Sequence, residues 1–396
     1  MGYRRFHMTM GARTEVLKEA LPEYLAASRE MKSIILDRLE KVVRMHRKAI
    51  VRRLKVLQLR AENINWFERR GRPTIYGKDV TAALRGLWEI GHEMCAERLH
   101  EVVDEYIDIL VRDREWTHDD VTTHRLRRMS VGTMKNRLSK FDRVVRGGGR
   151  SMTKPSHLKE IIPVRRGPWK DPDPGCGEID TVAHCGNTAE GLFGFTVQYT
   201  DIALSWCFLE GQLGKDTIET TASLERMRMR SPFTLTWLDP DTGSEFISWV
   251  AQRWSVSHDI ELTRIRPGEK NDHGHIEQKN DKNVRMFAGY IRVDTEDRLQ
   301  KLKTLLALVE VYVNHFLPTM QCIEKVRDNI SHSSRKYDKA QTPFRRFMQH
   351  KKIPKNAKAG MQKLHDTLSP KKLHDAILTA RRELFRGAKF TRDDIV

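Results

Sequence analysis

Gly177-Glu178-Ile179-Asp180-Thr181-Val182-Ala183-His184 is where the reading of this chain switches from helix to strand. Residues 178–184 predict a strand, and Gly186-Asn187 a turn after it. Residues 191–201 and 203–210, rich in Phe, Val, Tyr, Trp and Leu, predict two more strands. Helices and strands then alternate: a helix over 215–230, a strand over 233–238, a helix over 244–255, a strand over 260–265 and a long helix over 272–288. That order describes an α/β unit with a mixed five-stranded sheet. Three acidic residues punctuate it. Asp180 falls on the first strand, Asp241 just beyond the fourth, and Glu277 on the helix after the fifth. Carboxylates on two neighbouring central strands and a packed helix can meet at one edge of a sheet. Spacing alone proves little, because 53 of 396 residues are Asp or Glu. The local contexts decide the matter.

Working outward, the charge is segregated. Residues 1–150 hold 32 Lys and Arg against 21 Asp and Glu, and residues 331–396 hold 17 against 6. Residues 151–330 hold 22 against 26, so two basic arms flank a slightly acidic centre within a chain of net charge +18. Basic arms attract a polyanion through counterion release, and an acidic centre attracts divalent cations. Hydrophobic content of 39% with 31% charged residues describes a soluble protein of two or three domains. The most apolar run, around Leu305–Val309, is far short of a membrane span, and no apolar segment follows Arg4-Arg5 to make a secretory signal. Five cysteines without a CxxC pair suit reduced thiols in the cytoplasm, where a DNA-binding chain would be nucleoid-associated.

The N-terminal part reads as helices. A first helix from Arg13 is expected to break at Pro22. Ser28 then caps a helix over 31–43 with Ile34, Ile35, Leu39 and Val42 at helical spacing, and a second helix spans 46–59. In that second helix Ile50, Leu54 and Leu57 form an apolar stripe, while Arg47, Lys48, Arg52 and Arg53 crowd the other side. Residues 1–68 thus predict a helix-turn-helix module whose second helix meets DNA. Arg69-Arg70-Gly71-Arg72-Pro73 reads either as a minor-groove arm, through Arg70 and Arg72, or as a plain basic linker. Residues 69–145 predict a second helical module, with helices over 79–90, 93–111, 118–128 and 131–141. The last offers Lys135, Asn136 and Arg137 to DNA and Val131, Met134 and Leu138 to a core. His92, Cys95 and His100 lack a fourth zinc ligand and are set aside. Gly and Pro from 146 to 175 mark a linker between the DNA-binding modules and a catalytic part over 176–330.

Three blocks carry a family resemblance: Glu178-Ile-Asp-Thr-Val-Ala-His-Cys-Gly186, Asp239-Pro-Asp-Thr-Gly-Ser-Glu-Phe246, and Arg266-Pro-Gly-Glu-Lys-Asn-Asp-His-Gly-His-Ile-Glu-Gln-Lys-Asn280. In order and at this spacing they resemble the signature blocks of insertion-sequence transposases that share the DDE catalytic core of retroviral integrases. The resemblance extends to Tyr337-Asp338 and Thr342-Pro343, and more loosely to the helical N-terminal part. It implies a ribonuclease-H-like fold preceded by helix-turn-helix modules. It also implies Asp180, Asp241 and Glu277 as catalytic residues holding two Mg²⁺ ions, with Mn²⁺ a substitute. Oxygen-only ligation suits such hard cations, and paired divalent ions serve phosphodiester cleavage. The implied partners are element terminal inverted repeats and target DNA, handled by a homo-oligomer on double-stranded DNA. Two positions depart from the family. Thr242 stands where Asn is usual, and Asp281 stands where integrases carry a DNA-holding lysine, so that role moves to Lys279, Lys282 or Arg285. His273 and Asn280 are expected near DNA or a phosphate, and Asp239 either orients a ligand or makes a turn.

An apolar helix over 298–316 is expected to close the catalytic core, and residues 331–396 to form a basic helical arm tracking phosphates, with a last helix over 370–386. A DNA-binding regulator that does not cleave, and a nuclease acting on structured nucleic acid, are the rival readings.

Overall fold

A computed structural model describes residues 8–61, 75–141, 172–240, 246, 248–263, 279–327 and 333–387. Contacts divide the chain into two compact units, Met1–Thr74 and Ile75–Val396.

In the smaller unit three helices share one core. Thr9 caps α1 (Met10–Ala26), Ser28 caps α2 (Arg29–Val43), and α3 (Arg47–Ala61) follows three residues later. Arg44 ends α2 in the left-handed conformation, with φ of 51°, and turns the chain. The break expected at Pro22 does not occur. α1 runs through it, because Leu17, Ala20 and Leu21 bury against α2 and α3 and offset the missing N–H. The buried stripe of α2 is Ile35, Leu36, Leu39 and Val43; Ile34 and Val42, expected inside, are exposed. Ile50, Leu54 and Leu57 of α3 are buried as expected.

The larger unit begins with α4 (Lys78–Ile90), α5 (Ala96–Leu99), α6 (Val103–Arg112), α7 (Asp120–Arg127) and α8 (Val131–Leu138). The single helix expected over 93–111 is split. His92 and Glu93 take φ of 54° and 57°, and the chain turns again before α6. Then comes a five-stranded sheet of order β3-β2-β1-β4-β5. β1 (Cys176–His184) pairs antiparallel with β2 (Gly194–Asp201), and β2 with β3 (Cys207–Leu213). On its other side β1 pairs parallel with β4 (Trp237–Pro240), and β4 with β5 (Glu261–Leu262). The expected mixed five-stranded sheet with helices is therefore present, with a shorter fourth and fifth strand. The crossovers are α9 (Thr217–Arg230), capped by Asp216, and α10 (Trp249–Ser257), capped by Ser248.

Period-two alternation sorts the strands' side chains to two cores. Ile179, Val197, Tyr199 and Phe208 join Leu224 and Met227 of α9 on one face. Val182, Cys207 and Leu209 join the other, with α4–α8 and a long helix, α12 (Glu296–Phe316). A short α11 (Met286–Ala288) precedes α12 and follows a π-helical turn, Asn280–Arg285. Gly177 lies so close to Tyr199 that a Cβ would stand 2.2 Å from its ring, which dictates glycine there. β3 is an edge strand, and α12 covers that edge. Asn314 Oδ1 accepts from Cys207 N at 2.9 Å, Asn314 Nδ2 donates to Cys207 O at 2.8 Å, and Glu310 Oε2 accepts from Leu209 N at 2.7 Å.

A hairpin of β6 (Cys322–Arg327) and β7 (Ser333–Tyr337) leads to α13 (Pro343–Gln349), α14 (Lys355–Thr367) and α15 (Pro370–Phe385). The C-terminal part, expected as a basic helical arm, packs into the larger unit. Ile377 and Leu384 of α15 enter the core that α4–α8 share. Several of its cations are spent on acids there: Arg345 on Glu105 at 2.6 Å, Lys372 on Asp113 at 3.0 Å and Lys371 on Glu115 at 3.3 Å. His365 bridges Glu105 at 3.0 Å and His315 at 3.0 Å, tying α14 to α6 and α12. Among the described residues no helix is long and apolar enough to cross a membrane.

Candidate active site and nucleic-acid interface

Asp180 sits in the middle of β1, half-buried, opposite Gln198 of β2. Across the parallel ladder Glu178 stands beside Asp239, and Ile179 beside Pro240. β4 ends at Pro240. Asp241, Thr242, His273 and Glu277 lie outside the described residues, as do Arg70 and Arg72.

The carboxylate of Asp180 is held on both oxygens. Thr181 N donates to Oδ1 at 2.7 Å, and Asn280 Nδ2 donates to Oδ2 at 2.5 Å. Asn280 opens the π-helical turn three residues after Glu277, and such turns recur at functional sites. Sequence reasoning aimed Asn280 at DNA; the structure aims it at Asp180. Its Oδ1 is buried without a hydrogen-bond partner. An orphaned amide oxygen beside a carboxylate is a hard oxygen donor set, and it fits a divalent cation such as Mg²⁺. Among the described residues no three His, Cys, Asp or Glu side chains gather as a metal site by themselves.

Behind Asp180 lies a second acidic layer. Glu178 and Asp239 are fully buried on adjacent strands. Thr263 Oγ1 donates to Asp239 Oδ1 at 2.7 Å, and Trp237 Nε1 donates to Thr263 Oγ1 at 2.8 Å. Asp239 is thus a strand residue in a chain of hydrogen bonds, rather than a turn residue. Thr263 escaped the sequence reading, whose only signal was the alternation along the fifth strand.

His184 is buried, bonded through Nε2 to Thr196 Oγ1 at 2.7 Å, and burial pushes its pKa down to about 3. It stays neutral and belongs to the packing, as its place on the strand suggested. Arg292 organises the loop after β1, donating to the carbonyls of Cys185, Thr188 and Glu190 at 3.0, 2.8 and 2.7 Å.

The cations assigned to DNA divide into committed and available groups. Arg47 is committed: it pairs with Asp37 and donates to Ser33 Oγ at 2.5 Å, bracing α3 on α2. Arg53 Nη1 reaches Thr14 Oγ1 at 3.5 Å. Lys48 and Arg52 are exposed on α3. Arg137 donates to Tyr76 O at 2.8 Å and to Thr81 Oγ1. Lys135 meets Glu97 at 3.2 Å on the surface, and Asn136 is exposed. Lys279 turns inward, donating to Ser205 O at 2.7 Å, and burial pushes its pKa down to about 8. Arg285 donates to Ala183 O at 2.7 Å and lies over Tyr290, so it fastens its helix to β1. Lys282 remains exposed; partial desolvation, then the nearby Arg98, holds its pKa below the usual lysine range. Arg47, Arg137, Lys279 and Arg285 thus each make a polar contact within the fold. Carbonyls within reach compete for any guanidinium or ammonium close to the fold.

The chain matches no protein-family model. It is 32% identical over 322 residues to a Sinorhizobium fredii protein described as "Uncharacterized protein y4rM", covering 81% of this chain and 91% of that one. The catalytic core domain of BIV integrase aligns with 43% of this chain and 91% of its own, at 13% identity and a TM-score of 0.29. A superposition that loose bears no argument.

Proposed function

The chain belongs to the family of the uncharacterized Sinorhizobium fredii protein y4rM, and we propose that it is a DDE transposase, cutting and joining DNA strands with Asp180, Asp241 and Glu277. The observation that carries this reading is the hydrogen bond between Asn280 and Asp180, together with the register of β1 on β4. Asp241 follows Pro240, which pairs beside Ile179, and Glu277 precedes Asn280 by three residues. Chain connectivity thus tethers both acids to residues that touch Asp180 or its neighbour, within about 4 Å and about 11 Å of Cα reach. The order β3-β2-β1-β4-β5, antiparallel then parallel, supports a ribonuclease-H-like core.

In this reading Asp180, Asp241 and Glu277 hold Mg²⁺ or Mn²⁺, which supplies Lewis acidity toward a phosphodiester oxygen. The chain's own residues do the rest. Asn280 and the Thr181 N–H fix the rotamer of Asp180, so its oxygens are oriented before substrate arrives. Thr263 fixes Asp239 beneath, which keeps β4 and β5 in register at their ends. Lys48 and Arg52 of α3, and Asn136 of α8, offer exposed groups to duplex DNA. The terminal repeats of a mobile element and the target duplex are the substrates, and two ends handled together call for a homo-oligomer. A location beside the nucleoid follows from that substrate.

Asp241→Asn tests the reading. The variant should bind DNA carrying the element's ends as the parent does, yet neither nick it nor join it to a target in Mg²⁺. Strand transfer retained by the variant would sink the proposal. A parent chain that binds ends without ever nicking them would favour the regulator instead.

A further inference from the structure

An open cavity of about 500 Å³ lies between α4 and α8. Thr81 and Arg85 line it from α4, Asn136 and Arg137 from α8, and Lys140 and Phe141 from just beyond. Among the described residues no carboxylate lines it. We propose that this cavity seats the sugar–phosphate backbone of duplex DNA, making α4 a partner of α8 in binding. The inference rests on the proposed reading of α8 as a DNA-binding helix.

The chemistry of the walls points to a phosphodiester. Arg137 is pinned by Tyr76 O at 2.8 Å and by the Thr81 hydroxyl, and its guanidinium lies over the Tyr76 ring at 5.8 Å. Its charge is fixed in the wall, and among the described residues no carboxylate pairs with it, so little ordering entropy remains to be lost on binding. Arg85 stands over the Phe141 ring at 5.3 Å, and its one acidic partner, Glu89 at 3.1 Å, is an exposed pair one helical turn away. Exposed pairs of that kind are weak and yield readily to a stronger anion. Lys140 is exposed at the rim. A base edge would be read by long side chains free to enter a groove. Here Arg137 is held by Tyr76 and Thr81 and Arg85 lies over Phe141, an arrangement that positions a backbone and carries no sequence information.

The test uses the full chain and a labelled duplex of random sequence, with binding followed by fluorescence anisotropy across a salt series. Arg85→Gln and Lys140→Gln should each weaken binding and make the logarithmic salt slope shallower by about one. Arg253→Gln, on the exposed face of α10, should change neither. Binding and slope unchanged in both Arg85→Gln and Lys140→Gln, with melting temperatures equal to the parent's, would overturn the proposal. So would saturation of the cavity by a free deoxynucleotide that Arg85→Gln abolishes while duplex binding stands. Asn136→Ala probes the underlying reading separately. If it leaves any preference for element ends intact, α8 is not the sequence reader, whatever Arg85 does.

Discussion

The sheet joins two unlike halves at β1. On one side β1, β2 and β3 are seven to nine residues long and pair antiparallel along nearly their full lengths. On the other, the described residues of β4 and β5 number four and two and pair parallel, and the chain from 241 to 245 lies outside the described residues. The long half is closed by packing: Tyr199 lies against Gly177, and α12 satisfies the outer edge. The short half carries acids at or near the strand ends, held by side-chain hydrogen bonds such as Thr263 to Asp239. Packing holds one half and side-chain hydrogen bonds to acids the other, and β1 belongs to both, since it packs through Ile179 and presents Asp180.

The sharpest way to break that division is to change one residue on each side. Asp180→Asn should abolish Mg²⁺-dependent nicking while leaving the urea midpoint where it was; a large fall in stability would mean the acid belongs to the scaffold after all. Gly177→Ala should do the reverse. A methyl group 2.2 Å from the Tyr199 ring forces a backbone shift and should cost about 3 kcal/mol in urea unfolding. The long half also contains a buried histidine, His184, and the neighbouring α12 another, His315. Burial pushes both down to about 3, from the ordinary histidine value of about 6.5. A depressed pKa gives stability that is present above pH 6.5 and lost as the pH falls toward 3. By pH 5 each should have cost about 2 kcal/mol. His184→Gln should remove about that much from the difference between unfolding free energies at pH 7 and pH 5. The smallest effect expected is that of Asn314→Ala, which strands the outward N–H and C=O of Cys207 and should cost about 1.5 kcal/mol by thermal or urea melting.

What the sequence could and could not say follows the same line. Strands with continuous apolar content and helices with clear caps are legible: the Ser28 cap and Asp180's strand both fall where the pattern puts them. The face of α2 was misjudged because Ile34 and Val42 are as apolar as Ile35 and Val43, and only packing chooses between adjacent stripes. Pro22 was read as a stop because the cost of one missing hydrogen bond is local, while the burial that offsets it comes from two other helices. Site residues divide likewise. Asp180 was legible from its motif. The bonds of Asn280 to Asp180 and of Thr263 to Asp239 are not legible, since each joins residues far apart in sequence, 100 and 24 positions respectively. Charge counting marked the C-terminal part as a polyanion binder, yet it could not see that Glu105, Asp113 and Glu115 were waiting for three of those cations.

The cover that α12 lays over β3 bears on how copies of this chain can meet. An open strand edge is an invitation to a second molecule, which can dock its own strand there and extend the sheet without limit. With Cys207 and Leu209 already answered by Asn314 and Glu310, that invitation is withdrawn on the long side of the sheet. Contacts between copies on this side of the sheet are left to side-chain surfaces, whose shape and charge choose a partner, and a filament of like molecules is kept from growing along this edge.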